Sequence, residues 1–334
     1  MFTSFHGNTA NDVWKSIYKS VSRSSIVSSR AGDTREIIHA TISIDDPVQK
    51  WITIRNPPIS IAYALAELIC ILNGSDDASV INYWNEALPK YAGKYRNYPG
   101  SYGNRLINHY KINQIEKVYE TLTSHPDSRQ AVMIIWDPRE DLPIDNGKPR
   151  NDDIPCNICS MIKVRDNKLE WTQVMRSNDL YLGLPYNLIQ FTSIQEILAS
   201  WLGIDVGSYN QISDSLHLYT KDEKKVSDDG EEVINTDMLS IPKESYSEVI
   251  DKIYSIMETI SHGPGITEDE LCDMAGYNTG YEAYNNILRV ICAYAANKKQ
   301  YVAESEQIMK GCSNTAYIRM WNRWVKNKGG QKNV

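Results

Sequence analysis

Several things are scarce in this sequence, and each scarcity excludes something. No run approaches the roughly 18 consecutive apolar residues of a membrane-spanning helix, so no membrane association is expected. Met1 to Asn11 lack a basic start followed by an apolar stretch, which gives no sign of a secretory leader and makes the cytoplasm the expected location. Glycine and proline are not enriched, and no segment has low complexity. Positive charge is not in excess. The net charge of -7 argues against a broad nucleic-acid-binding surface but leaves room for a local basic pocket holding one phosphate. The six cysteines, Cys70, Cys156, Cys159, Cys272, Cys292 and Cys312, are scattered, and a chain of 334 residues needs no disulfide staples. Cys156 and Cys159 form a Cys-x-x-Cys pair. No second pair or histidine cluster accompanies it, so neither a metal nor a redox role is expected.

What is present is an ordinary mixture of 42% apolar and 23% charged residues, enough for one large domain or two modest ones. Val13, Trp14, Ile17 and Val21 line one side of an expected amphipathic helix over 11–22. Ile37 to Ile54, rich in Ile and Thr, suggests strands. Ile59 to Leu72 is almost wholly apolar and ends at Asn73-Gly74, the pattern of a buried helix with a glycine stop. Ile112, Ile115, Val118, Tyr119 and Leu122 mark another helix, and Ala131 to Trp136 a buried strand. Two strand-like runs, Cys159 to Val164 and Lys168 to Met175, flank Asp166-Asn167, which is good hairpin chemistry. A helical stripe from Leu188 to Trp201 closes at Gly203. This order of helices and strands is irregular, which favours an α+β fold over a doubly wound sheet. Lys221 to Glu232 reads as a charged linker or exposed loop. From about Pro242 the pattern is helical, with possible capping boxes at Ser245/Glu248 and Thr267/Glu270. Residues 1–240 are therefore expected to form a catalytic domain and 241–334 a helical extension.

Four fragments carry the chemistry: Asp127-Ser128-Arg129; Ile154-Pro155-Cys156; Arg176-Ser177-Asn178-Asp179 with Gly183-Leu184-Pro185-Tyr186-Asn187; and His217-Leu218-Tyr219. In order and spacing they resemble the thymidylate synthase and pyrimidine nucleotide hydroxymethylase family, over roughly 30–219. The resemblance implies the family's mixed sheet with packed helices. It also implies one-carbon transfer from 5,10-methylenetetrahydrofolate to C5 of a pyrimidine nucleotide, dUMP above all.

The residue types suit that chemistry. C5 of uracil is a poor nucleophile, and a thiolate added at C6 turns it into an enolate carbon, which calls for a cysteine of depressed pKa. Cys156 is the candidate nucleophile. Arg176 suits both the thiolate and a substrate phosphate, because its planar fork pairs with either anion. The resemblance implies phosphate ligands at Arg30, Arg129, Arg176 and Ser177, with Arg129 reaching across a homodimer. It implies that Asn187 reads the base, since one amide donates to O4 and accepts from N3–H of uracil. His217 and Tyr219 match the residues holding the sugar hydroxyl, and Asp179 a position beside the base and cofactor. Glu67, a carboxylate on an otherwise apolar helix, matches a proton relay to O4, and Tyr102 a tyrosine near C5. Trp84 matches an aromatic near the folate, with simple core packing as the other reading.

The chain also departs from the family pattern. Gln130, Asn157, Met175, Leu106 and Ala87 replace usual Arg, His, Gln, Trp and Trp, and Thr220-Lys221 replaces an Asn-His pair. The end of the chain does not resemble the short hydrophobic tail that closes over folate in thymidylate synthases. A site that admits water would yield hydroxymethyl instead of methyl. The sequence thus leans to deoxyuridylate hydroxymethylation, with thymidylate synthesis as the alternative and a non-catalytic nucleotide-binding regulator as a third reading.

Overall fold

The computed structural model describes residues 1–29 and 31–331, so the expectation for Arg30 lies outside the described residues. The strands are β1 (Thr3–Gly7), β2 (Ile26–Ser29), β3 (Gly32–Ile44), β4 (Val132–Ile134), β5 (Asn157–Arg165), β6 (Lys168–Met175), β7 (Asn178–Asp179) and β8 (Asp205–Tyr219). The helices of the first part are α1 (Ala10–Val21), α2 (Ile61–Asn73), α3 (Ala78–Trp84), α4 (Pro89–Ala92), α5 (Tyr102–Ile107), α6 (Gln114–Ser124), α7 (Pro138–Asp141) and α8 (Leu184–Leu202). The rest are α9 (Lys243–His262), α10 (Glu268–Ala275), α11 (Glu282–Lys298), α12 (Val302–Lys310) and α13 (Thr315–Gln331).

The strands form one mixed sheet in the order β1-β3-β8-β6-β5-β4, with β2 paired to β3 and β7 to β8. This is the expected α+β arrangement. Asp166 and Asn167 both take positive φ, which lets β5 turn tightly into β6. Helix α2 starts where the Ser60 side chain accepts the Tyr63 N–H and stops at Gly74 in the left-handed region. Its residues are apolar on nearly every side, and so it is buried by α8, α9 and α11 together.

Two expectations need correction. The strand expected over 37–54 ends at Ile44, because Asp45-Asp46-Pro47 interrupts the ladder and proline offers no N–H to continue it. The following irregular segment is held from outside, by the Asn11 side chain accepting the N–H groups of Thr53 and Ile54. The Ser245/Glu248 capping box is also absent: α9 begins two residues earlier behind Pro242, and Ser245 Oγ instead accepts the Tyr281 hydroxyl. The Thr267/Glu270 box is present.

The segment 221–242 is not a loose tether. Val226, Leu239 and Ile241 are buried, and the apolar core runs continuously from the sheet into α9–α13.

Candidate active site

Cys156 stands at the entrance to β5, and the end of β6 delivers Arg176 beside it, with the Arg176 N–H bonded to the Cys156 carbonyl. The guanidinium is pinned by the carbonyls of Pro155 (2.8 Å) and Ile154 (3.2 Å), and Nη2 lies 4.0 Å from the Cys156 Sγ. Its plane also sits near the Trp136 ring. Burial pushes the Cys156 thiol up from its ordinary value, Arg176 pulls it down, and Asp179 and Asp153 add to the rise. The expectation of a depressed thiol is therefore not met in this state of the chain, because desolvation outweighs one neighbouring cation.

Glu67 projects from α2 into the same region. Tyr63 donates to its Oε1 (2.9 Å) and Gln190 to its Oε2 (2.5 Å). Burial raises this carboxyl to about 7, against the lowering effect of those two hydrogen bonds. A carboxyl raised on folding contributes stability that is complete below about pH 4.5 and lost as pH rises through about 7. Glu67→Gln should remove that dependence and make the protein more stable than the parent above pH 7, by on the order of 3 kcal/mol. Urea melts between pH 5 and 8 check this; parallel pH profiles for both proteins would refute it.

Tyr102, at the start of α5, faces the same point. Its hydroxyl is raised well above the usual range by burial, then by Cys156, while Asn157 lowers it; Glu67 and Asp153 also act on it. Asn187, on the first turn of α8, takes a hydrogen bond from Asn157 and gives one to Asn178. Asp179 on β7 pairs in register with His217 on β8. Burial raises the Asp179 carboxyl and lowers the His217 imidazole, and each opposes the other's shift. Tyr219 packs edge-on to His217 with ring centres 5.3 Å apart. Ser177 is half-buried between β6 and β7.

The structure thus gathers Cys156, Arg176, Glu67, Tyr102, Asn187 and Asp179 around one point, with His217 and Tyr219 adjoining it across β7 and β8. Arg129 is not brought there; it is exposed on the loop between α6 and β4. Trp84 is buried, with its ring edge-on to Tyr83 and its carbonyl accepting the Tyr294 hydroxyl.

Sequence reasoning missed several residues. Asp153, three residues before Cys156, accepts the Gly100 N–H at 2.7 Å, and burial pushes its carboxyl up to about 6. Arg55 is buried against the Tyr181 ring, and among the described residues its Nε and Nη1 meet no acceptor at hydrogen-bond distance. Gln173 and Trp171 lie behind Asn157. The only sequence signal for these last two was polar character on the inward phase of a buried strand.

Comparisons with known proteins bear on the family. The family model described as thymidylate synthase matches residues 15–244. A deoxyuridylate hydroxymethyltransferase of Bacillus phage SP01 is 32% identical over 269 residues, covering 75% of this chain and 68% of that protein. A putative thymidylate synthase of Methanothermobacter thermautotrophicus is 27% identical over 255 residues, covering 70% of this chain and 99% of that one. A second deoxyuridylate hydroxymethyltransferase, of Pseudomonas phage M6, is 27% identical over 199 residues, covering 59% of this chain and 55% of that one. With the family model spanning most of the chain and a relative above 30% identity over two thirds of its own length, this chain belongs to the thymidylate synthase family.

Proposed function

We propose that this protein transfers a one-carbon unit to C5 of dUMP and releases 5-hydroxymethyl-dUMP. The observation that carries this reading is the Cys156–Arg176 pair meeting Glu67, Tyr102 and Asn187 at one point, in a chain similar to two deoxyuridylate hydroxymethyltransferases. The Cys156 thiolate adds to C6, and the electrons of the C5–C6 double bond move through C4 onto O4, where Glu67 shares a proton. Arg176, Ser177 and, from a partner subunit, Arg129 hold the phosphate. Asn187 holds O4 and N3–H, and His217 and Tyr219 hold the sugar. When bound, 5,10-methylenetetrahydrofolate would supply the carbon that bonds to C5, at the formaldehyde oxidation level, with tetrahydrofolate as the leaving group. The Asp179 carboxylate and the Arg55 Nε and Nη1, which meet no acceptor among the described residues, offer an acceptor and donors that fit the donors and acceptors of a pterin ring. Tyr102 assists removal of the C5 proton, which leaves an exocyclic methylene on the base. Water then adds to that methylene, the electrons return to O4, and expulsion of Cys156 restores the C5–C6 double bond. No redox change occurs.

The hydroxymethyl product needs a base for that water. Asp153 is placed for it: its charge acts on both the Cys156 thiol and the Tyr102 hydroxyl. Asp153→Asn should leave first-turnover release of tritium from C5 of dUMP, up to one equivalent per site, within about threefold of the parent rate while lowering the steady-state rate of hydroxymethyl product about 100-fold. Equal losses in both assays would remove Asp153 from the water step. The alternative product, dTMP, is favoured by the similarity to a putative thymidylate synthase.

A homodimer completes the site. Helices cover one face of the sheet, and two cross-strand rows lie on the other: Ile134, Cys159, Val174, Ile212 and Thr41, then Val132, Met161, Thr172, Asn210 and Ser43. They are exposed or half-buried and mostly uncharged, as an interface between copies requires. Arg129 leads directly into this face. Mixing inactive Cys156→Ala with inactive Arg129→Ala protein under exchange conditions should recover about a quarter of parental activity, since one site in four pairs a native Cys156 with a native Arg129. No recovery despite subunit exchange would place Arg129 in its own subunit's site. The expected location is the cytoplasm; among the described residues no helix is long and apolar enough to cross a membrane.

A further inference from the structure

We infer that Trp171, Gln173 and Asn157 form a one-way hydrogen-bond chain that fixes which way round Asn187 presents its amide, and that this chain makes the site select uracil over cytosine. The inference rests on the reading that Asn187 holds the base.

The chain begins at a group with no choice, because an indole N–H only donates. Trp171 Nε1 donates to Gln173 Oε1 at 3.1 Å, and Ser160 Oγ donates to the same oxygen at 2.6 Å. That oxygen is then filled, and the Gln173 amino group must face Asn157, where Nε2 meets Oδ1 at 2.9 Å. With its oxygen taken, Asn157 turns its own amino group to Asn187, Nδ2 to Oδ1, at 3.3 Å. Turning over any one of these amides would set two amino groups or two oxygens face to face. Trp171, Gln173, Asn157 and Ser160 are fully buried, so an alternative partner in solvent is not at hand.

The strands explain how the chain is assembled. Residues 171 and 173 share the inward phase of β6, Ser160 stands opposite Gln173 in register, and Asn157 opens β5 opposite Met175. The consequence reaches the last amide. Asn187 keeps one free lone pair on Oδ1 and, after donating to Asn178, one free N–H. That pair complements N3–H and O4 of uracil. Cytosine presents a bare N3 and an amino group at C4, the reverse pattern. Asn157 stands where the family usually has histidine, and here Gln173 sets the polarity at the end of the chain.

Competing turnover of dUMP and dCMP tests this, with fold and melting temperature checked for each variant. Asn157→Asp replaces the amino group by an oxygen, which draws the Asn187 amino group towards it, with Asn178 turning over in step to donate to the displaced Asn187 oxygen. The dUMP-to-dCMP ratio of kcat/KM should fall at least about 100-fold, with dCMP turnover rising above the parent. Gln173→Leu removes the anchor and should lower the ratio about tenfold; Trp171→Phe should do the same and serves if Asn157→Asp does not fold. A network that only supports the fold would change melting temperature and leave the ratio alone, and that result in the folded variants would overturn the inference. Asn187→Asp separates the two levels. A shifted ratio there with unshifted Asn157 and Gln173 variants sinks the chain alone, whereas an unshifted ratio sinks the reading of Asn187 as the base contact.

Discussion

Cys156→Ala should lower turnover of dUMP by at least about 10⁴-fold while leaving dUMP binding within about tenfold of the parent. The reason lies in the base itself. Without addition at C6, C5 has no enolate character, and no hydrogen bond to O4 or N3 substitutes for a covalent electron source. Binding depends on other groups. Arg176 is fixed by the carbonyls of Ile154 and Pro155 independently of the sulfur, and Asn187 by Asn157 and Asn178. Removing one Sγ from a half-buried position leaves the backbone pairing of Cys156 with Arg176 in place. Steady-state turnover and calorimetric dUMP titration check the two halves of this expectation. Activity above about one per cent of the parent would show that Cys156 is not the nucleophile.

Deleting residues from 242 onward should abolish folding instead of producing a smaller enzyme. Helix α2 carries Glu67 and is apolar around its circumference, and α9 and α11 cover it. Helix α11 itself is buried from Ala283 to Ala296 but for Arg289. Polar ties cross the same boundary: Tyr246 donates to the Leu72 carbonyl at 2.8 Å, Asn73 to Asp251 at 2.9 Å, and Tyr284 to the Leu239 carbonyl at 2.9 Å. Tyr317 packs edge-on to Trp51. Exposing even five large apolar side chains at about 1.5–3 kcal/mol each would exceed or match the whole stability of a typical domain. The truncated chain should be insoluble or lack a cooperative melt. A soluble fragment with a sharp transition would mean that the catalytic part folds alone and that the helices serve another end.

Local patterns were legible in the sequence where neighbours along the chain decide the outcome. The Asp166-Asn167 turn, the glycine stop of α2 and the Thr267/Glu270 box all depend on residues within a few positions of each other. The order and spacing of the motifs around Cys156, Arg176–Asn187 and His217–Tyr219 likewise brought out residues that lie together, whereas Arg129 of the first motif is exposed away from them. What stayed hidden depends on tertiary placement. The direction of the thiol's shift follows from burial that no spacing reveals. The irregular path of Thr53 and Ile54 is held by the side chain of Asn11, more than 40 residues upstream of Ile54 in the numbering. Asp153 reads as one of two loop aspartates until Gly100 is seen to hold it. Gln173 and Trp171 look like odd residues in a strand until the β5–β6 register brings Ser160 and Asn157 against them.

The most direct test is mass spectrometry of the nucleotide after incubation of the protein with dUMP and methylenetetrahydrofolate, with Cys156→Ala as control. The account predicts a gain of CH₂O, tetrahydrofolate in equal amount, and no change in the control. A gain of CH₂ with dihydrofolate would retain the Cys156 chemistry and reassign the product to dTMP. Unchanged dUMP, bound by the protein but never modified, would contradict the account.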